Sequence, residues 1–160
     1  MFPYSSLARN FRRRSAAAFR GVVVSRCTMS TTSAEQESLL RSYLGMYDGT
    51  KKTLEDVKPI LCSVMAPNVV VVTPNGQVGL ETVEPAVAKL VEGGAKNNVF
   101  FVQEKDKGTW EYKVEVTPGG DNADPMMVHA RATFNEDGKV ARVEPLGAET
   151  NKAYTQTLNS

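Results

Sequence analysis

Residues 68–79 read NVVVVTPNGQVG: four consecutive valines, a threonine, a proline and an Asn-Gly pair. β-Branched side chains favour extended backbone, so the valine run predicts a strand, and the Pro74-Asn75-Gly76 corner predicts the turn that ends it. An unbroken apolar run predicts burial on both faces, as for a strand held between helix and sheet. The polar corner then marks where the strand leaves the core. Thr73 is expected there, near the mouth of the hollow that the strand would line.

Upstream of this strand the apolar period is helical. Residues 33–36, SAEQ, have the form of a capping box, and Leu39, Leu40, Tyr43, Leu44 and Tyr47 recur every three or four positions. They predict an amphipathic helix ending near Gly49. Leu54, Val57, Leu61, Val64 and Met65 predict a second helix around Pro59, stopped by Ala66-Pro67-Asn68. Downstream, Val83, Ala86, Val87, Leu90 and Val91 predict a third. Pro85 suits only a first turn, so that helix is expected to begin near Thr82 and to close at Gly93-Gly94.

Beyond residue 95 the period changes to two. Residues 98–103 (NVFFVQ) predict a strand, and 109–116 (TWEYKVEV) alternate with Trp110, Tyr112, Val114 and Val116 on one face. After the loop TPGGDNADP, Val128, Ala130, Ala132 and Phe134 share a face opposite His129 and Arg131. Residues 135–138 (NEDG) are a hairpin signal that returns the chain through 139–143. The order predicts an α+β domain over residues 34–146, about three N-terminal helices packed on a curved antiparallel sheet. The polar residues 147–160 are expected to form a frayed or loosely docked tail.

Charge separates the leading segment from this body. Six of the 19 basic residues precede position 34, where there is no acid; the other 13 face all 18 acids, a balance of −5. Residues 1–33 therefore have the Arg-, Ser- and Ala-rich, acid-free composition of an organelle transit peptide. A mitochondrial address is expected, with a plastid address, a disordered basic leader or cytosolic initiation at Met29 as alternatives. The acidic body argues against nucleic-acid binding, and the longest apolar run of the leader is too short for membrane insertion. Cys62 is the one thiol of the body and is expected to be a small core residue among Ile60, Leu61 and Val64. With His129 the single histidine and no cysteine cluster, no metal site and no cofactor are expected. The charges of residues 104–107 (EKDK) read as a solvated turn.

Three stretches carry a resemblance: SYLGMYDGT at the end of the first helix, TPNGQVGLETV leading from the valine strand into the third, and RATFNEDGKVARVEP in the final hairpin. In this order and spacing they resemble the nuclear transport factor 2-like superfamily, which includes SnoaL-like proteins and ketosteroid isomerases. The resemblance implies a cone whose first helices cap a bent sheet around an apolar pocket. Its expected walls are Tyr43, Tyr47, Val70, Val72, Thr73, Phe101, Trp110, Tyr112, Val114, Val128, Ala130 and Phe134. Ketosteroid isomerases of this fold use a carboxylate base with a tyrosine and a protonated aspartic acid. Tyr43 matches the tyrosine; the base position falls on Thr73 and the second acid on Ala130, so the resemblance does not extend to steroid-isomerase chemistry. The expected function is a non-catalytic module that holds a small apolar molecule and pairs as a homodimer. Alternatives are a SnoaL-like isomerase, dehydratase or cyclase with Tyr43 as acid or oxyanion donor, and a protein-association domain.

Overall fold

The computed structural model describes residues 31–121 and 123–158. The expected transit peptide up to residue 30, including Met29, lies outside them. The first helix, α1 (Ser33–Gly45), is capped by Thr32: its hydroxyl accepts from the Glu35 N–H at 3.3 Å, and the Glu35 carboxylate accepts from the Thr32 N–H at 2.7 Å. The capping box thus sits one residue ahead of the expected one, and the folded body begins before residue 34. Gln36, released from a capping role, turns inward and is buried. α1 also stops short of Gly49. Tyr47 has already left helical bonding, because its carbonyl accepts from the Asn97 N–H at 2.8 Å.

α2 (Leu54–Val64) begins where the Thr53 N–H and hydroxyl both donate to the Asp56 carboxylate at 2.8 Å. Val57, Leu61 and Val64 form its buried stripe. Cys62 lies off that stripe and is exposed, so it is not the core residue expected from its apolar neighbours. α3 (Leu80–Gly93) starts two residues before Thr82, which puts Pro85 in its second turn. Pro59 of α2 is placed alike. Each proline frees the carbonyl four residues back, and those residues, Glu55 and Glu81, are exposed to water that can satisfy it. Gly94 closes α3 in the left-handed conformation, φ 79°.

Six strands form one curved, unclosed sheet: β1 (Met65–Thr73), β2 (Gly76–Val78), β3 (Lys96–Asp106), β4 (Thr109–Thr117), β5 (Met126–Phe134) and β6 (Val140–Pro145), in the order β2-β1-β6-β5-β4-β3. Every pairing is antiparallel except β1 with β6, which is parallel. The valine strand is therefore interior, flanked by β6 and by the short β2. It is nevertheless not buried on both faces: Val69 and Val71 are buried, while Val70 and Val72 are half-buried on the other side.

The polar tail is also ordered. Residues 148–158 form a fourth helix, α4 (Ala148–Leu158), with Thr150 and Ala153 buried. The Thr150 hydroxyl accepts from the His129 N–H at 2.7 Å and donates to the His129 carbonyl at 3.0 Å, pinning the helix to β5. Among the described residues no helix is long and apolar enough to cross a membrane.

Candidate functional site

Between the helices and the inner face of the sheet lies a cavity of about 110 Å³. α1 and the turn after it contribute Tyr43, Leu44 and Tyr47, and α3 contributes Val83, Val87 and Leu90. Val71, Tyr112, Val114, Val128 and Val143 form the sheet wall, and Ala153, Tyr154, Thr157 and Leu158 bring α4 against the remaining side. Asp, Glu, His, Lys and Arg are absent from this lining among the described residues.

Of the expected wall residues, the structure gathers Tyr43, Tyr47, Tyr112, Val114 and Val128 around this space. The others lie elsewhere. Val70 and Val72 point away from it, because alternation sends Val71 inward. Thr73 is not at a mouth: it is buried at the β1–β2 corner, where its hydroxyl donates to the Gly76 carbonyl at 3.0 Å and accepts from the Asn75 N–H at 3.3 Å. Trp110 is buried beyond the cavity against α1, with its Nε1–H donating to Gln36 Oε1 at 2.9 Å. Phe134 borders a separate recess with Gln36 and Gly108. Ala130 is wholly buried between Tyr112 and Pro145 in register and has no surface on the cavity.

Phe101 is displaced by a bulge. The β3–β4 register shifts between Val99 and Phe101, so the phase set by Val99 is reversed and Phe101 stands opposite Lys113 on the outer face. Its ring meets His129 edge-on, with centroids 5.6 Å apart. Val99, Phe100 and Phe101 are 37%, 54% and 36% exposed.

The cavity's polarity comes chiefly from four phenols. Tyr43 and Tyr47 meet edge to face with ring centroids 6.0 Å apart, and Tyr112 and Tyr154 line the same space. Loss of water on burial pushes all four above the ordinary tyrosine value. For Tyr47 and Tyr112 the neighbouring phenols push further in the same direction. Each therefore stays a neutral, proton-bearing group at physiological pH. Such a set can donate hydrogen bonds but offers no base.

Asn97 is a lining residue that the sequence reading did not single out. Its Nδ2 donates to the Leu44 carbonyl at 3.2 Å, which fixes the amide orientation, and its Oδ1 is buried without a partner. Tyr154 was likewise missed. The spacing of Thr150, Ala153-Tyr154 and Thr157-Leu158 is a helical stripe that could have revealed it.

A wider recess of about 660 Å³ lies outside, between α3, α4 and the β4–β5 loop. It shares Ala86, Leu90, Met126, Ala153 and Thr157 with the cavity, so these side chains partition the inner space from solvent.

A cluster of charges lies on the other face of the sheet. Glu111 receives Arg131 at 2.8 Å and has Lys105 at 3.6 Å and His129 Nε2 at 3.9 Å. The Arg131 hydrogen bond is the main reason its carboxyl lies below the ordinary range.

No protein-family model and no curated protein matches the sequence. Solved structures do resemble it. A de novo designed protein of the NTF2 fold is 13% identical, covering 81% of this chain and 98% of the design, with a TM-score of 0.57. A proposed isomerase of the SnoaL-like family from Agrobacterium tumefaciens is 13% identical over 70% of this chain and 98% of its own, with a TM-score of 0.53. A proposed polyketide cyclase from Sinorhizobium meliloti is 15% identical over 74% and 98%, with a TM-score of 0.51. Identities this low speak for shape, and a designed protein reaches that shape without an inherited reaction. With its helices and curved, unclosed sheet, the chain has the nuclear transport factor 2-like fold.

Proposed function

We propose that this domain binds a small neutral, largely apolar molecule and does not transform it. The observation that supports this reading is the cavity lining: four neutral phenols and an amide among aliphatic walls, with no carboxylate or imidazole to take up a proton. General acid–base chemistry needs both a donor and an acceptor of matched pKa within reach of the substrate. Tyr43 can serve as a donor, as the enzymatic alternative requires, but nothing around the cavity completes the pair.

Size narrows the ligand. A cavity of 110 Å³ is below the roughly 300–1,000 Å³ of drug-sized sites and nearer the ~150 Å³ of an apolar hollow that accepts benzene. A single-ring molecule fits this scale; a fused polycycle does not. Native mass spectrometry of the full chain tests the reading. A copurified neutral mass, lost when Val114→Phe fills the hollow, supports it. Turnover of a candidate substrate that disappears in Tyr43→Phe would replace it with the enzymatic alternative.

The proposal extends to assembly and address. The exposed Phe101, on the outer face of the edge strand β3, and its exposed neighbour Phe100 support a homodimer formed through that side of the sheet, with a protein-association role as the alternative. Sedimentation at graded concentrations decides whether the chain pairs. The acid-free Arg-rich leader supports mitochondrial delivery, which fusion of residues 1–33 to a fluorescent protein would report.

A further inference from the structure

We propose that α4 is a lid on the cavity: its first turn is fixed to β5, and its second half swings away from α3 to admit a ligand. This rests on the reading of the cavity as a binding site and states how that site is filled. The two ends of the helix are held by different means. At its root the buried Thr150 hydroxyl accepts from the His129 N–H at 2.7 Å and donates to the His129 carbonyl at 3.0 Å, and the Leu146 N–H donates to the same carbonyl at 2.7 Å. Gly147, at φ 104°, makes the turn that returns the chain to His129. Three hydrogen bonds to one strand residue make this end a pivot. Farther along, the Thr155 and Thr157 hydroxyls turn back onto carbonyls of their own helix, those of Asn151 at 2.9 Å and Ala153 at 2.8 Å. That half is held by the buried Ala153 and by Tyr154 and Leu158, half-buried against the core, with the Tyr154 phenol beside that of Tyr112. A segment with so few buried apolar contacts opens at a lower free energy than the body it rests on.

The consequence of such an opening follows from what α4 separates. Ala153 and Thr157, with Ala86 and Leu90 of α3 and Met126 of β5, divide the cavity from the outer recess of about 660 Å³. The α3 side of this divider cannot yield alone, because Val83, Ala86, Val87 and Val91 bury that helix in the core, whereas only Thr150 and Ala153 are buried along α4. Met126 is tied into the sheet opposite Val116. Displacing the far half of α4 removes Ala153 and Thr157 from the divider together with Tyr154 and Leu158 from the cavity wall, and the two spaces become one.

The test combines amide hydrogen exchange of the full chain with fluorine NMR of fluorobenzene as the probe. Amides 153–158 are expected to exchange about tenfold or more faster than those of β4, and bound fluorobenzene to slow them. Leu158→Ala loosens the far end of the lid and should raise the rate at which fluorobenzene enters and leaves about fivefold. Val83→Ala enlarges the same cavity from α3 and should change that rate by less than about twofold. Equal acceleration by the two variants, or none by Leu158→Ala, overturns the lid and leaves the binding reading standing. So does protection of amides 153–158 equal to that of β4 in the native chain, which decides the matter should either variant not fold. Failure of the native chain to bind fluorobenzene at millimolar concentration overturns the binding reading and the lid with it.

Discussion

The two faces of β4 and β5 are made from the same eighteen residues of strand and differ in almost every chemical respect. Inward stand Trp110, Tyr112, Val114, Val116, Val128, Ala130, Ala132 and Phe134, all buried. Outward stand Glu111, Lys113, Glu115, His129 and Arg131, with His129 and Arg131 gathered around the Glu111 carboxylate. The acid and the imidazole that proton transfer needs are present in this sheet, one residue away from the hollow. Strict alternation keeps them out, because a side chain cannot change face without a shift of register. The lesson is that this domain lacks acid–base equipment at its cavity by phase, not by composition.

The largest expected effect comes from charging the inner face by pH. The four cavity tyrosines have raised pKa values, so below about pH 10 they are neutral in folded and unfolded chains alike and make no difference to stability. Above it the unfolded chain ionises first, and stability falls by up to about 5 kcal/mol per pH unit for four phenols. Tyrosinate absorbance should therefore rise together with the loss of far-ultraviolet circular dichroism. Ionisation of all four before unfolding would contradict the closed, unionised inner face.

A buried carboxylate comes next. Ala130→Asp should cost roughly 3–5 kcal/mol in urea titration at neutral pH, and less below about pH 4, where the carboxyl is neutral in both states. Thr133→Asp, facing outward beside Arg142, should cost about 0.5 kcal/mol or nothing. Equal costs would erase the distinction between the faces.

Smaller still is the buried polar bond between Trp110 of the sheet and Gln36 of α1. Gln36→Leu strands the Trp110 Nε1–H and should cost about 1–3 kcal/mol, with Trp110→Phe in the same chain recovering part of it. The smallest effect belongs to the outer face. Glu111 stabilises the fold only while ionised, so its contribution is full above the ordinary value of 4.5 and is lost as the pH falls through its lowered folded value. Glu111→Gln should remove about 0.5 kcal/mol at pH 7 and nothing in acid, as thermal unfolding at the two pH values would show.

How far the sequence could reveal all this depended on whether a residue's surroundings were local. The alternation of residues 109–116 is visible because nothing interrupts it, and β4 alternates throughout. Phe101 could not be placed, since a bulge leaves no mark in an apolar run such as NVFFV; it is set by the partner strand. α4 was hidden by its composition, for its anchor is a threonine hydroxyl bonded to a strand 21 residues away. Tyr43 was visible as a helix residue at core spacing. Asn97 was not, because an asparagine at a strand start reads as a turn residue until the orphaned oxygen is seen.

The parallel junction of β1 with β6 has a consequence for how the chain reaches this state. It pairs Val70 with Arg142 and Val71 with Val143, about 70 residues apart, whereas β3, β4, β5 and β6 meet their sequence neighbours. Loop closure over that distance makes the seam a late event, so the β3–β6 meander can assemble while the valine strand still waits with one edge open. The hollow comes into being only when that last seam shuts, and a molecule present at that moment can be enclosed as the chain finishes folding.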